Sequence, residues 1–411
     1  MAQAPPSLDS LPTEIITEIV SYITDCRTLY HLITASPAVS RVFDSPTIGP
    51  EILEHVLANS TAPQVYGLIR LVAIVRTSTL DNPPAASLGA FIKRANHHIQ
   101  QNGKGRFHST VPPLTQTYRC QAPGSIRSIL QTARRVAYMI PACLSCYREQ
   151  WLSATPSHTE GDMRGWAYKS WRNRYADRPY IPCDVGPPVW VEEQRAARGF
   201  WRLQLLYELR RASFEGRLSW VNGSHHQLIT AETLYGALRY EKEEFLTVSD
   251  FIDQVCAAGV TCEGQTWSLP NLPPDALPSL WPEPSPPLAV DESAGHTRGF
   301  LMSQNPVGWV YANIRLRHFP PSPIRGVPLH PFRRLGLFIW EYDKLVKMEL
   351  MSSTGYPFSA TGEPSKMYTW RSLVSKEILT EVEGNLEAGI VQQQESQQRV
   401  EDYGQDYESS P

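Results

Sequence analysis

Long apolar runs are missing from this chain of 411 residues. The longest, Val65 to Val75, is interrupted by Arg70 and is too short to span a bilayer. The opening Met1-Ala2-Gln3-Ala4-Pro5-Pro6 has neither the basic nor the apolar part of a secretory leader, so no such signal is expected. Cysteine is sparse: 7 residues, scattered. That excludes a disulfide framework and favours a reducing compartment, cytoplasmic or nuclear. The sequons at Asn59-Ser60-Thr61 and Asn222-Gly223-Ser224 then read as chance. No charge sign dominates either. A net charge of −3 gives no electrostatic reason to expect nucleic acid or an anionic membrane surface as partner. No repeat of the propeller or leucine-rich kind is present.

The usual signatures of catalysis are also lacking. There is no Gly-x-Ser-x-Gly elbow and no glycine loop followed by Lys-Ser or Lys-Thr; Gly103-Lys104-Gly105 is a turn signal. Glu192-Glu193 and Glu241 to Glu244 are acidic, but no apolar pocket is evident to split their pKa values into an acid and a base. A non-catalytic protein without cofactor is therefore expected. Cys143-Leu144-Ser145-Cys146 has the spacing of half a zinc site, which Cys120, His158 or Cys183 would complete. On a helix the same two cysteines share a face as small buried residues, so both readings stand. The adjacent pairs His97-His98 and His225-His226 point in different directions and read as surface or loop residues.

What is present is a hydrophobic content of 42%, enough for a large core, in a chain whose length suggests about two or three domains. Near the start, Ser10 to Ile23 predicts an amphipathic helix with Ser10 as N-cap and Pro12 in the first turn. Ile15, Ile19, Tyr22 and Ile23 share one side, Ile16 and Val20 lie beside them, and Thr13, Glu14, Thr17, Glu18 and Ser21 lie opposite. A second helix carries Leu29, Leu32 and Ile33. Ser36-Pro37 reads as N-cap and first residue of a third, with Val39, Val42 and Phe43 inward. Three helices in roughly forty residues enclose little core alone, so the wide apolar flank of the first needs a cover. Later parts of the same chain, as in an ordinary helical hairpin, would supply one; another molecule would supply the other.

Leu11-Pro12-x-Glu14-Ile15-x-x-x-Ile19-x-x-Tyr22-Ile23, followed by Leu29, Leu32, Ser36-Pro37 and Phe43, resembles an F-box over about residues 8–50. The resemblance implies a substrate receptor of an SCF-type cullin–RING ubiquitin ligase. Leu11, Pro12, Ile15, Ile16, Ile19, Leu29, Leu32 and Pro37 would form or support the face for the Skp adaptor, and an unknown protein substrate would bind elsewhere. The alternative from another class is a scaffold outside a ligase, or a structural protein holding zinc at Cys143 and Cys146.

The rest reads as an all-α body broken by prolines. Helices are expected from Pro50, from Pro63, over Ala85 to Ile99, from Ser125 through Ile140, over Val189 to Ala212, over Thr230 to Arg239 and over Glu243 to Ala258. Gln100 to Gly124 reads as a surface loop, and Arg127, Arg134 and Arg135 as a solvated face or one meeting an acidic partner. Six tryptophans, Trp151, Trp166, Trp171, Trp190, Trp201 and Trp220, crowd the middle. The segments are a helical body over 51–268, a proline-rich loop or linker over 269–300, a helical continuation over 301–380 and a disordered tail over 389–411. Trp201 to Leu209 and Gly336 to Leu345 resemble stretches of the large group of F-box proteins in filamentous fungi.

Overall fold

A computed structural model describes residues 8–101, 107–160, 176–218, 220, 229–257, 269–271, 302, 304–317, 322–352 and 364–389. Most of the proline-rich stretch, Trp166, Trp171, Trp281, His225-His226 and residues 390–411 of the tail lie outside them. The fold is mainly helical, as the periodicities predict, with two two-stranded antiparallel ribbons among the described residues. It divides into two compact units that do not follow chain order. The first comprises Met1–Arg148, Gly186–Pro306 and Phe338–Trp340; the second comprises Glu149–Val185, Val307–Leu337 and Glu341–Pro411.

The first unit opens with α1 (Thr13–Ser21), α2 (Cys26–Ala35), α3 (Pro37–Phe43) and α4 (Ile48–Ser60). Ser10 ends a short 3-10 turn instead of capping α1, and Pro12 takes the N-cap position at φ −57°, ψ 149°. The proline side chain offers no acceptor, but its carbonyl still starts the ladder by accepting from the Ile16 N–H at 3.1 Å. Ser36 caps α3 as expected, accepting from the Val39 N–H at 3.3 Å, with Pro37 at the first helical position. The three short helices do not close their core alone. α4 packs on all of them and adds Ile52, Leu53, Val56 and Leu57, each at most 3 % exposed.

Arg127 and Arg134 of α8 (Arg127–Leu152) fasten this module, so for these two the expected solvated or acid-seeking role gives way to internal pairing. Arg127 forks onto Asp44 at 2.5 and 2.9 Å and reaches the Ser40 hydroxyl at 2.6 Å. Arg134 lies 4.2 Å over the Tyr30 ring and 5.1 Å over Tyr138. Arg135 donates to the Leu269 carbonyl at 2.9 Å.

α5 (Pro63–Thr77), opened by Pro63 as expected, lies against α9 (Trp190–Phe214). Side chains from α9 and the turn after it cap both ends of α5. Gln194 accepts from the Ala62 N–H at 2.8 Å, and Arg217 donates to the Val75 carbonyl at 2.7 Å. The stretch expected to be a surface loop instead forms β1 (Ile99–Gln101) and β2 (Phe107–Ser109), paired Ile99 to Ser109, then the short helix α7 (Leu114–Thr117). Val111, Leu114 and Tyr118 from it are core residues. The helix α6 (Leu88–Asn96) is shorter than expected because Ser87 caps it, accepting from the Ala90 N–H at 3.1 Å. His98 is not a surface residue. It is 5 % exposed, with Nε2 2.9 Å from the Gln64 carbonyl and Nδ1 2.5 Å from that of Ala95.

α9 is buried on nearly every side, and α11 (Tyr240–Ala257) crosses it after the short α10 (Ala231–Tyr235). The crossing is close because Gly199 has no Cβ; one there would lie 2.9 Å from the Glu244 carbonyl and from both Val248 methyls. Between the helices sits a buried ion cluster. Arg198 forks onto Glu244 at 2.7 and 2.6 Å and donates to the Met302 carbonyl at 3.1 Å, while Arg202 pairs with Glu241. Burial opposes the charge on Arg198, but Glu244 and Glu241 outweigh it and hold the pKa above the ordinary guanidinium value. Burial likewise opposes charge on Glu241, and Arg202 and Arg198 outweigh that, leaving its pKa lowered.

The second unit centres on Trp370 in the helix Pro364–Ser372. Trp370 donates to the Leu350 carbonyl at 3.0 Å and packs against Phe332 and Tyr311, with ring centroids 5.1 and 5.6 Å away. That helix lies on the ribbon formed by β3 (Ser157–Glu160) and β4 (Ala176–Pro179), whose register pairs Ser157 with Pro179.

Candidate functional site

The residues singled out at the N-terminus sort into three environments. Ile16 and Leu29 are buried, at 3 % and 0 % exposure, and so support the module from within. Leu11 and Leu32 are half-buried, and Pro12 and Pro37 are exposed. Ile15 and Ile19 are 43 % and 39 % exposed, and Tyr22, at the C-cap of α1, is 76 % exposed.

Helix geometry accounts for the split. Residues 15, 19 and 22 stand at i, i+4 and i+7, one line along the helix, whereas 16 and 20 lie about 100° around the axis. α3 and α4 pack on α1, and its buried residues are Ile16 and Val20. The wide apolar arc is thus covered along one edge and open along the other. Exposed Glu14 and Glu18 flank the open edge, the polar rim common at docking surfaces. The other exposed large apolar residues among those described, Leu80, Leu152, Ile181, Val189 and Phe214, are scattered in sequence. Covering the part of Ile15 and Ile19 still open to water would stabilise a complex by roughly 1 kcal/mol each.

Cys143 is fully buried and Cys146 half-buried on α8, with the Cys146 thiol 3.9 Å from the Gln254 side-chain oxygen. Burial pushes the Cys143 thiol well above its ordinary pKa, the opposite of what a thiolate ligand needs. Among the described residues no group of three or more His, Cys, Asp or Glu side chains is placed to hold a metal ion. Cys256 is disulfide-bonded, which the scattered spacing of the cysteines gave no reason to expect.

In the second unit His158 stands between a hydroxyl and a carboxylate. Its Nδ1 is 3.2 Å from Thr369 Oγ1, its Nε2 is 2.7 Å from Glu349, and its ring stacks on Tyr180 at 4.2 Å. The order of groups is that of a nucleophile relay, but Thr369 is fully buried and presents no hydroxyl to a substrate from solvent.

No family model matches the chain, and neither the curated proteins nor the solved structures contain a match to it.

Proposed function

We propose that this protein is a substrate receptor of an SCF-type cullin–RING ubiquitin ligase, docking on the Skp adaptor through the open edge of α1. The observation that carries the reading is the line of exposed Ile15, Ile19 and Tyr22 beside buried Ile16 and Val20, within the stretch that resembles an F-box. Exposed Pro12 and Pro37 and half-buried Leu11 and Leu32 would belong to the same docking face, and buried Ile16 and Leu29 support the helices from within. The subunit does no chemistry itself. It holds a target protein near a ubiquitin-loaded conjugating enzyme and raises the effective concentration of the target lysine. The fork of Arg127 on Asp44 supports this role, because a receptor that positions a target needs a module rigidly tied to the unit that carries it.

Affinity purification with mass spectrometry under proteasome block tests the reading. The wild-type chain is expected to recover the adaptor and a cullin, and the Ile15→Asp/Ile19→Asp variant neither. Equal recovery by both chains, or none by either, would contradict it.

A further inference from the structure

The first unit contains an open cavity of about 440 Å³ lined by Arg76 of α5, Arg135 of α8, Gln204, Glu208 and Arg211 of α9, and Glu215 and Arg217 beyond it. Four guanidiniums face two carboxylates there. Arg76 is spent on Glu208 at 2.7 Å, on the Ser128 carbonyl at 2.6 Å and on the Thr132 hydroxyl at 2.7 Å. Arg211 and Arg217 share the single carboxylate of Glu215, through their Nε atoms, at 2.9 and 2.7 Å. Both terminal nitrogens of Arg211 and Nη2 of Arg217 make no hydrogen bond among the described residues. Arg135 has no acidic partner among the described residues; its one hydrogen bond goes to the Leu269 carbonyl. Burial, with Arg76 nearby, pulls the pKa of Arg135 below the ordinary guanidinium value, as for a cation without a counter-charge.

We infer that this cavity binds a phosphate monoester. Its uncompensated charge of two matches a phosphate carrying about −1.5 to −2 at neutral pH, and forked guanidiniums suit its oxygens better than point charges would. The volume suits one such group with a short attachment and not a strand of phosphates. The chain as a whole carries net charge −3, so the excess is local to the cavity. None of these residues lies on α1, so the inference stands or falls apart from adaptor docking.

Calorimetric titration of the full chain at low salt tests it, with inorganic phosphate, O-phosphoserine, serine and sulfate as separate probes. Phosphate or phosphoserine is expected to bind at least about tenfold more tightly than serine, with sulfate as a dianion of the same shape binding comparably to phosphate, and with heat that falls as salt rises. Binding of both phosphate probes assigns the site to the free group; binding of phosphoserine alone assigns it to a phosphorylated side chain. Arg135→Gln and the surface variant Arg211→Gln are each expected to weaken binding at least about tenfold with an unchanged melting temperature for Arg211→Gln. Absence of binding by either phosphate probe, serine binding as tight as phosphoserine, or undiminished binding by Arg211→Gln would overturn the inference.

Discussion

Ile15 and Ile16 adjoin on α1, yet Ile16 is 3 % exposed and Ile15 is 43 % exposed. The two isoleucines therefore do different work. Ile16→Ala removes packing from the centre of the module and should cost about 2–4 kcal/mol of stability. Ile15→Ala should leave stability within about 0.5 kcal/mol of wild type. Urea unfolding of both variants checks the contrast, and similar losses would mean that the outer edge is covered in the folded chain.

The ion cluster between α9 and α11 makes a different kind of prediction. Arg198→Met leaves fully buried Glu244 and half-buried Glu241 beside a single guanidinium, that of Arg202, and should cost about 3–5 kcal/mol. The double variant Arg198→Met/Glu244→Leu removes a charge of each sign and should be closer to wild type than the single one. Denaturation midpoints of the three chains decide it; a double variant no more stable than Arg198→Met would show that the pair contributes more than mutual neutralisation.

His98 sets a pH dependence. Burial pulls its pKa below the ordinary 6.5, partly offset by the Gln64 carbonyl. The folded state thus takes up the proton less readily than the unfolded one. Stability is full above the unfolded value and is lost as pH falls from there toward the lowered native value. The lowered pKa of Glu241 adds a second loss further into acid, starting below its ordinary 4.5. Between about pH 7 and pH 5 the wild-type midpoint should drop more steeply than that of His98→Phe, which has no proton to exchange. Parallel curves would assign the slope to other groups.

Gly199→Ala ought to stabilise an isolated helix by about 1 kcal/mol. In this chain it should destabilise by about 1–3 kcal/mol, because the new methyl meets the Glu244 carbonyl and both Val248 methyls at 2.9 Å. Thermal melting of the variant measures the sign directly.

What the sequence made legible follows from how local each cause is. Ser36-Pro37 and Pro63 start their helices through their own backbone chemistry, and the structure starts α3 and α5 there. The apolar width of α9 announced burial on several sides, and α5 and α11 provide it. The buried charges of α9 were not legible, because their partners come from far along the chain: Glu244 lies 46 residues from Arg198, and Glu208 lies 132 from Arg76. β1 and β2 are three residues each, too short for alternation to show. His98 was missed because its burial depends on the Gln64 carbonyl of α5, across 34 residues. For α1, periodicity showed that the apolar arc was wide. Only the packing of α3 and α4 determines which edge stays open.

Titration of the purified full-length chain with a purified Skp adaptor tests the docking edge of α1 most directly. Wild type should bind with a defined stoichiometry, and Ile15→Asp/Ile19→Asp should bind more than about 30-fold more weakly while unfolding at the same urea concentration. No binding by the wild type, or equal binding by a correctly folded double variant, would contradict the account.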